Sequence, residues 1–363
     1  MPETKVEQPR ASESRSRPPA AATPRSTRLA ALARALSFRN ISAIYIFIAM
    51  FVLFSFWVPE TFLRWDTWKA LLDSQAVTAI LAIGLVVTLS AGQFDLAIGT
   101  ELGFGAILVA WFMVNEGVPV VPAIALTLVA GALIGACNGL LIVKVKLDSF
   151  IATLGVSSIL LAAIAWVSSS QQILELPDSF RSLGTTEIFD LRLPVYICLG
   201  LGVVIWYLLD RTPLGRRIFA TGGNIEAARL AGVRVSWVIV GTMMITGLVA
   251  AVAGILLAAN LGASDPTLGP PYLLPAFSAA FLGSTQFRGG RFNVWGTLVA
   301  VIVLATGVKG LQLAGAPIWL PELFNGAALL IAVGMSKYER TAHRAGAIRR
   351  LLRFDGRRAT ADA

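Results

Sequence analysis

Ten stretches of this chain carry few or no charged side chains, and they constrain its fold more than any motif does. Backbone that crosses lipid must satisfy its own hydrogen bonds, so it forms helix or closed barrel, and about twenty residues of helix span the hydrocarbon. The stretches run approximately over 42–58, 77–90, 102–114, 119–143, 149–170, 193–209, 236–261, 272–282, 292–308 and 320–336. The expected fold is therefore all-α, a polytopic transmembrane helical bundle of about ten spans. The stretches within 77–114 and 272–308 are short, crowded with glycine and separated by few polar residues, a pattern that suggests broken or half-crossing helices. Only 14% of the 363 residues are charged, against roughly 25% in ordinary soluble domains, and a soluble single domain is excluded.

The charges are sided. Thirty Lys and Arg face 21 Asp and Glu, a net of +9. Basic residues resist transfer across a membrane more than carboxylates do. With the N-terminus inside and ten crossings, the inside segments hold 25 of the 30 basic residues: eight in the N-terminal tail, Lys144 and Lys146, five in 210–235, Arg288 and Arg291, and eight in the C-terminal tail. Arg64, Lys69, Arg181, Arg192 and Lys309 are left outside. The expected organisation is a disordered basic cytoplasmic tail over 1–40, a transmembrane domain over 41–338 with a cytoplasmic loop at 210–235, and a second basic cytoplasmic tail over 339–363. The outside loop 171–192 carries Glu175, Asp178, Glu187 and Asp190 and is available to an extracytoplasmic partner. Scattered over two tails and three loops, and without zinc-finger spacing, the basic residues do not form a nucleic-acid footprint.

Catalytic chemistry has little to stand on. The single histidine, His343, lies in the C-terminal tail, which excludes a histidine-built metal centre or a His-based triad in the apolar body. Cys137 and Cys198 fall inside apolar stretches and read as small buried hydrophobes. No GxxxxGK[ST] loop is present to bind a nucleotide.

Two places are more specific. In SAGQFDLAIGTELGFGA, residues 90–106, Asp95 interrupts an apolar region between Gly92 and Gly99. Either it lies at membrane depth, where ionisable groups are expensive and functional, or it caps the next helix at the interface. Gln93 and Asn138 could serve a polar solute or neighbouring helices. Asn260, Asp265, Pro266, Gly269 and Pro270 form another break, and Gly131, Gly135 and Gly139 recur every four residues as a helix-packing stripe.

The second place is DRTPLGRRIFATGGNIEAARLAGVRV, residues 210–235. A Pro-Leu-Gly turn precedes Arg216 and Arg217. After Gly222 and Gly223, Asn224 is an N-cap for a short helix starting near Ile225, with Glu226 in its first turn and Gly232 at its end. Ala227, Ala228, Leu230 and Ala231 are expected to form one compact apolar face, with Arg229 on the other side. Such a helix seats in a groove of a soluble partner, or lies in the interface as an ordinary connector.

GQFDLAIG at 92–99, GACNGLLIVKVKLDSFIATLG at 135–155, TPLGRRIFATGGNIEAARLAGV at 212–233 and FLGSTQFRGG at 281–290, in that order, resemble the permease subunit of bacterial ABC importers for ribose, xylose, autoinducer-2 and related solutes. The resemblance runs over roughly 40–338; Leu96-Ala97 stands where family members commonly have Leu followed by Ser or Thr. It implies a non-catalytic permease of the bacterial inner membrane that carries a monosaccharide or related small polar solute. It also implies a second permease subunit, an extracytoplasmic solute-binding protein and cytoplasmic ATPase subunits that hold the ATP, with no cofactor on this chain. Gly223 to Gly232 would be the coupling helix to the ATPase, with Glu226-Ala227-Ala228 at its centre. The alternative is an ion-coupled secondary transporter or channel, which would want more intramembrane carboxylates than Asp95 alone. An intramembrane enzyme would need a nucleophile and base, or an HExxH set, and neither is present.

Overall fold

The computed structural model of the protein describes residues 42–286 and 290–334. The expected tails over 1–40 and 339–363, and Arg288, lie outside the described residues.

Helices occupy every one of the ten stretches. They begin with α1 (Ser42–Trp57), the single turn α2 (Pro59–Phe62), α3 (Trp65–Ser90), α4 (Ile98–Val114) and α5 (Val120–Leu140), which runs on as a π turn over Leu141–Val145. Next come α6 (Ser149–Val167), α7 (Asp178–Thr185), a two-residue antiparallel ribbon of β1 (Glu187–Ile188) and β2 (Leu191–Arg192), and α8 (Leu193–Arg211). The remainder is α9 (Pro213–Gly223), α10 (Ile225–Leu230), α11 (Val235–Leu261), a 3-10 turn at Pro270–Tyr272, α12 (Leu273–Ser284), α13 (Val294–Leu313) and α14 (Trp319–Gly334). Among the described residues six helices are long and apolar enough to cross a membrane: α3, α5 with its π turn, α6, α8, α11 and α13. Tyr45–Trp57 of α1, α4 and α14 are shorter apolar helices. The protein is an all-α, multi-pass membrane bundle.

One expectation is corrected. The stretch at 77–90 is not a half-crossing helix; it is the C-terminal part of the 26-residue α3. Asp66, Lys69 and Asp73 hid the first half, because helices read from missing charge end where charge begins. Lys69 and Asp73 are tied at that end of the bundle. Lys69 Nζ donates to Glu187 at 2.7 Å, and Asp73 accepts from the Arg192 backbone N–H at 3.0 Å. The second expected short helix is present as the 12-residue α12.

The core is organised around α11, which packs against α3, α4, α5 and α7. Glycine sets the closest approach. A Cβ on Gly135 would strike the Met243 carbonyl oxygen, one on Gly131 would lie 2.6 Å from Ala251 Cβ, and one on Gly139 would lie 2.6 Å from Val240 Cα. The stripe at every fourth position is thus the seam along which α5 lies on α11. Without a hydrophobic force between helices in lipid, such close backbone packing supplies the association energy. Outward faces are apolar: Val121, Leu133, Ile151, Ile159 and Trp166 are all exposed.

Segments that charge assigns to one side gather at one end. Ala228 in the loop after α9 packs with Ile142 and Val143 beside Lys144, and the Arg291 guanidinium lies 4.2 Å from the Phe219 ring centre. At the other end Lys69, Asp73, Glu187 and Arg192 cluster.

Gly135→Val is expected to cost about 3 kcal/mol, the upper end for overpacking, because backbone rather than a movable side chain blocks the new atoms. The readout is a lowered unfolding midpoint in detergent. Gly155→Val, where an added Cβ meets nothing within 4 Å, is expected to leave it unchanged.

Candidate functional site

Between α3 and α4 the chain unwinds over residues 91–97 inside the bundle, and its backbone must find hydrogen-bond partners there. The amides of Ala91, Gly92 and Gln93 fold back onto the carbonyls of Thr88 and Leu89, with Gly92 at φ +76° making the turn. The rest of the segment is received by α6. Ser149, Thr153 and Ser157 recur every four residues, so their hydroxyls stack on one helix face. Phe94 N–H donates to Ser149 Oγ at 3.1 Å and Leu96 N–H to Thr153 Oγ1 at 3.1 Å, while the hydroxyls of Thr100 and Ser157 lie 2.6 Å apart. The Thr153 hydroxyl itself donates to the Ser149 carbonyl at 2.7 Å. The Thr153 hydroxyl thus accepts from the break and donates along its own helix.

Asp95 is fully buried, and its Oδ1 accepts the Ala97 N–H at 3.1 Å just ahead of α4. It has both features that its sequence position left open, burial and a local backbone cap. Glu101, in the first turns of α4, is a second buried carboxylate, and Asn138 Nδ2 of α5 donates to its Oε1 at 2.9 Å. Asp95 Oδ2, Glu101 Oε2 and Asn138 Oδ1 have no hydrogen-bond partner among the described residues. Buried acceptors left unpaired cost about 1–3 kcal/mol each, so a donor reaching this corner would be stabilising. The reading that began the span at Leu102 placed Glu101 outside it and missed it. Its signal was a carboxylate within one helical turn of the apolar run at Ile98. Gln93 is buried in the same break, and Gly99 packs on the chain at Gly269, where an added Cβ would lie 3.1 Å from the Gly269 carbonyl oxygen.

Asn260 does not join them. It accepts from Arg192 at 2.7 Å and lines a cavity of about 310 Å³ with Asp66, Lys69, Asp73 and Glu187 at the opposite end of the bundle.

The loop between α8 and α11 reaches the break directly. Pro213 is not in a free turn as expected; it opens α9, whose N-cap Thr212 accepts from the Gly215 N–H at 3.3 Å. Proline suits that position because its missing N–H would be unpaired anyway. The other end of α9 brings Gly222 against the break. A Cβ on Gly222 would overlap the Ser90 carbonyl oxygen and lie 2.9 Å from Gly92 N. Asn224 then caps α10 by accepting the Ala227 N–H at 3.0 Å, Glu226 pairs with Arg229 at 3.0 Å, and Gly232 at φ +82° follows the helix. The expected single apolar face is split. Ala228 is 4% exposed and turned into the membrane domain against Val235 and Ile239, whereas Ala227 and Ala231 face outward and Leu230 is 90% exposed. Ala228 is one position from Ala227 and two from Leu230, and side chains at those spacings point to different sides of a helix. Gly223 is the last residue of α9 rather than part of α10.

Among the described residues no group of three His, Cys, Asp or Glu could hold a metal ion. A family model described as the permease component of branched-chain amino acid transport systems matches residues 69–333, the whole arrangement from the charged cluster through α14. The chain belongs to this permease family. It is 30% identical over 300 residues to the ribose import permease protein of Haemophilus influenzae, covering 80% of this chain and 92% of that one. It is 35% identical over 265 residues to the ribose import permease protein of Bacillus subtilis, covering 72% and 82%. The autoinducer 2 import system permease protein of Escherichia coli O9:H4 is 32% identical over 260 residues, covering 70% and 78%. No solved structure matches significantly. The permease is the membrane component of an ABC-type import system and a non-catalytic subunit, and family membership implies that ATP hydrolysis sits on a separate partner. A second buried carboxylate therefore does not make it an ion-gradient carrier.

Thr153→Val in this permease removes the acceptor of the Leu96 N–H and is expected to cost about 1–3 kcal/mol, whereas Thr153→Ser restores it. Thermal unfolding in detergent, together with hydrogen exchange at Leu96, reads both; equal behaviour of the two variants would contradict the hydroxyl ladder.

Proposed function

We propose that this permease carries a neutral sugar or similar small polyhydroxylated solute into a bacterial cytoplasm. It works in the inner membrane with ten crossings and both termini inside, paired with a second permease subunit, its own copy or a relative. Relatives that import ribose and autoinducer 2 support the solute class. The gathering of Lys144, Arg291 and the 210–235 loop at one end supports the orientation. An extracytoplasmic solute-binding protein delivers the solute at the opposite end, where Asn260 and the charged cluster lie.

The observation that carries the reading is the double-sided α10. Its inner side is anchored by Ala228, its outer side offers Ile225, Ala227 and Leu230 to a groove on a cytoplasmic ATPase, and the preceding α9 meets the membrane break through Gly222. Residues Gly223, Asn224, Glu226, Ala227, Ala228, Arg229, Leu230 and Gly232 make up the coupling segment, in which Asn224 and the Glu226–Arg229 pair hold the shape. Closure of the ATPase pair displaces α10 and, through α9, the segment bearing Gln93, Asp95 and Gly99, with Asn138 behind it.

Leu230→Glu places a charge on the outer side and is expected to reduce ATPase co-purification at least tenfold with membrane insertion intact; full pull-down together with full uptake would overturn the coupling role. Asp95→Asn keeps an oxygen for the Ala97 N–H but removes the charge, and uptake by the assembled importer is expected to fall at normal expression. Uptake at the wild-type rate would leave Asp95 a replaceable cap.

A further inference from the structure

A second cavity, of about 410 Å³, lies between α3, the chain before α12, α13 and α14, and it differs in chemistry from the charged one. Its volume falls in the range of small-molecule sites, about 300–1,000 Å³. Gln75 and Thr78 reach it from α3, Thr267 and Tyr272 from the break after α11, and Asn325 from α14. Gln75 and Thr78 are three residues apart and so share a helix face. The side chains of Gln75, Thr78, Tyr272 and Asn325 make no hydrogen bond to another described residue, so their donors and acceptors are free to meet an occupant. Thr267 is engaged, donating to Asp265 at 2.6 Å. Asn325 is fixed by its backbone, whose carbonyl accepts from Ser278 of α12 at 3.4 Å. The opposite wall is apolar, formed by Val301, Leu304 and Val308 of α13.

We infer that this cavity is the solute-binding station of the permease, and that it takes a neutral, polyhydroxylated molecule of monosaccharide size. Two carboxamides can each donate to one hydroxyl and accept from its neighbour. Hydroxyls of Thr78 and Tyr272 add groups that both donate and accept, while the Tyr272 ring and the α13 wall suit the C–H face of a sugar. Tyr272 is the only ionisable side chain among the lining residues, and its phenol is neutral at ordinary pH. A charged solute would lose its hydration there without gaining a counter-charge, which penalises it strongly. Selection by charge thus occurs inside the bundle, one helix face away from the charged mouth: Ser74 lines that mouth and Gln75 lines this station.

This assignment rests on the import function proposed above, and the experiment separates the two. The importer, with its ATPase and binding protein, is reconstituted in vesicles and offered radiolabelled neutral pentoses, hexoses and polyols, with D-gluconate as the anionic control. If the wild-type complex carries no neutral member of the panel, the functional reading fails. With a neutral sugar that it does carry, the double variant Gln75→Leu, Asn325→Leu is expected to lower uptake at least tenfold, from a loss of about three- to tenfold per removed hydrogen-bonding group. Co-purification of the variant with the ATPase is expected to match wild type, which shows that the complex still assembles. Unchanged uptake overturns the station and leaves the function standing. A second arm uses Thr78→Cys in a Cys137→Ala background, chosen because Cys137 is exposed and Cys198 buried. The transported sugar is expected to slow methanethiosulfonate labelling at residue 78 at least threefold and D-gluconate to leave it unchanged; equal labelling with and without sugar overturns the station.

Discussion

The fold depends on how seven non-helical residues are satisfied where Ala91, Gln93, Asp95 and Ala97 are buried within the bundle. Segment 91–97 leaves the end of α3 and enters α4 inside the bundle, and each of its exposed amides would carry a penalty there. Local turns take the first three. The hydroxyls at 149 and 153 take two more, and the Asp95 carboxylate takes that of Ala97. Because two of those acceptors sit on α6, the break fixes the placement of α6 against α4. The carboxylates of Asp95 and Glu101, the Asn138 amide and the contact with Gly222 all take their positions from this one unwound turn.

Much of this was legible in the chain. Ten apolar stretches marked ten helices because lipid allows little else. Asn224 followed by an acidic first turn and a glycine marked the limits of α10, since caps act through residues adjacent in sequence. The four-residue glycine stripe named a packing face before its partner α11 was known. What failed was whatever required knowledge of contacts between distant segments. The first three turns of α3 carry charges that end an apolar window, but two of them, Lys69 and Asp73, are paired with Glu187 and Arg192, more than a hundred residues away. Glu101 looked like a polar spacer because its partner Asn138 arrives from another helix. Ala228 looked like part of a partner-facing surface, although Val235 and Ile239 of the same chain already cover it.

The two ends of the bundle handle charge differently. At the end with Lys69, Asp73, Glu187 and Arg192, both signs are interleaved and paired around a cavity, and Glu187 is held below the usual carboxylate range chiefly by its hydrogen bond from Lys69. At the other end the basic residues are dispersed; Arg291 and Arg211 lie over the rings of Phe219 and Trp206, where the aromatic face partly replaces a counter-ion. A dispersed basic surface suits permanent retention on one side of a membrane.

The meeting of Gly222 with Ser90 and Gly92 has a mechanical consequence. It is backbone against backbone with no side chain between, and none of the hydrogen bonds described here ties the two glycines together. Van der Waals contact resists compression steeply and tension hardly at all. In the proposed coupling the junction acts as a push rod: α9 drives the unwound turn inward without slack but does not pull that turn back. The return stroke in that coupling then falls to the elastic restoring force of the bundle, through the hydroxyls of α6 that hold the other side of the same turn.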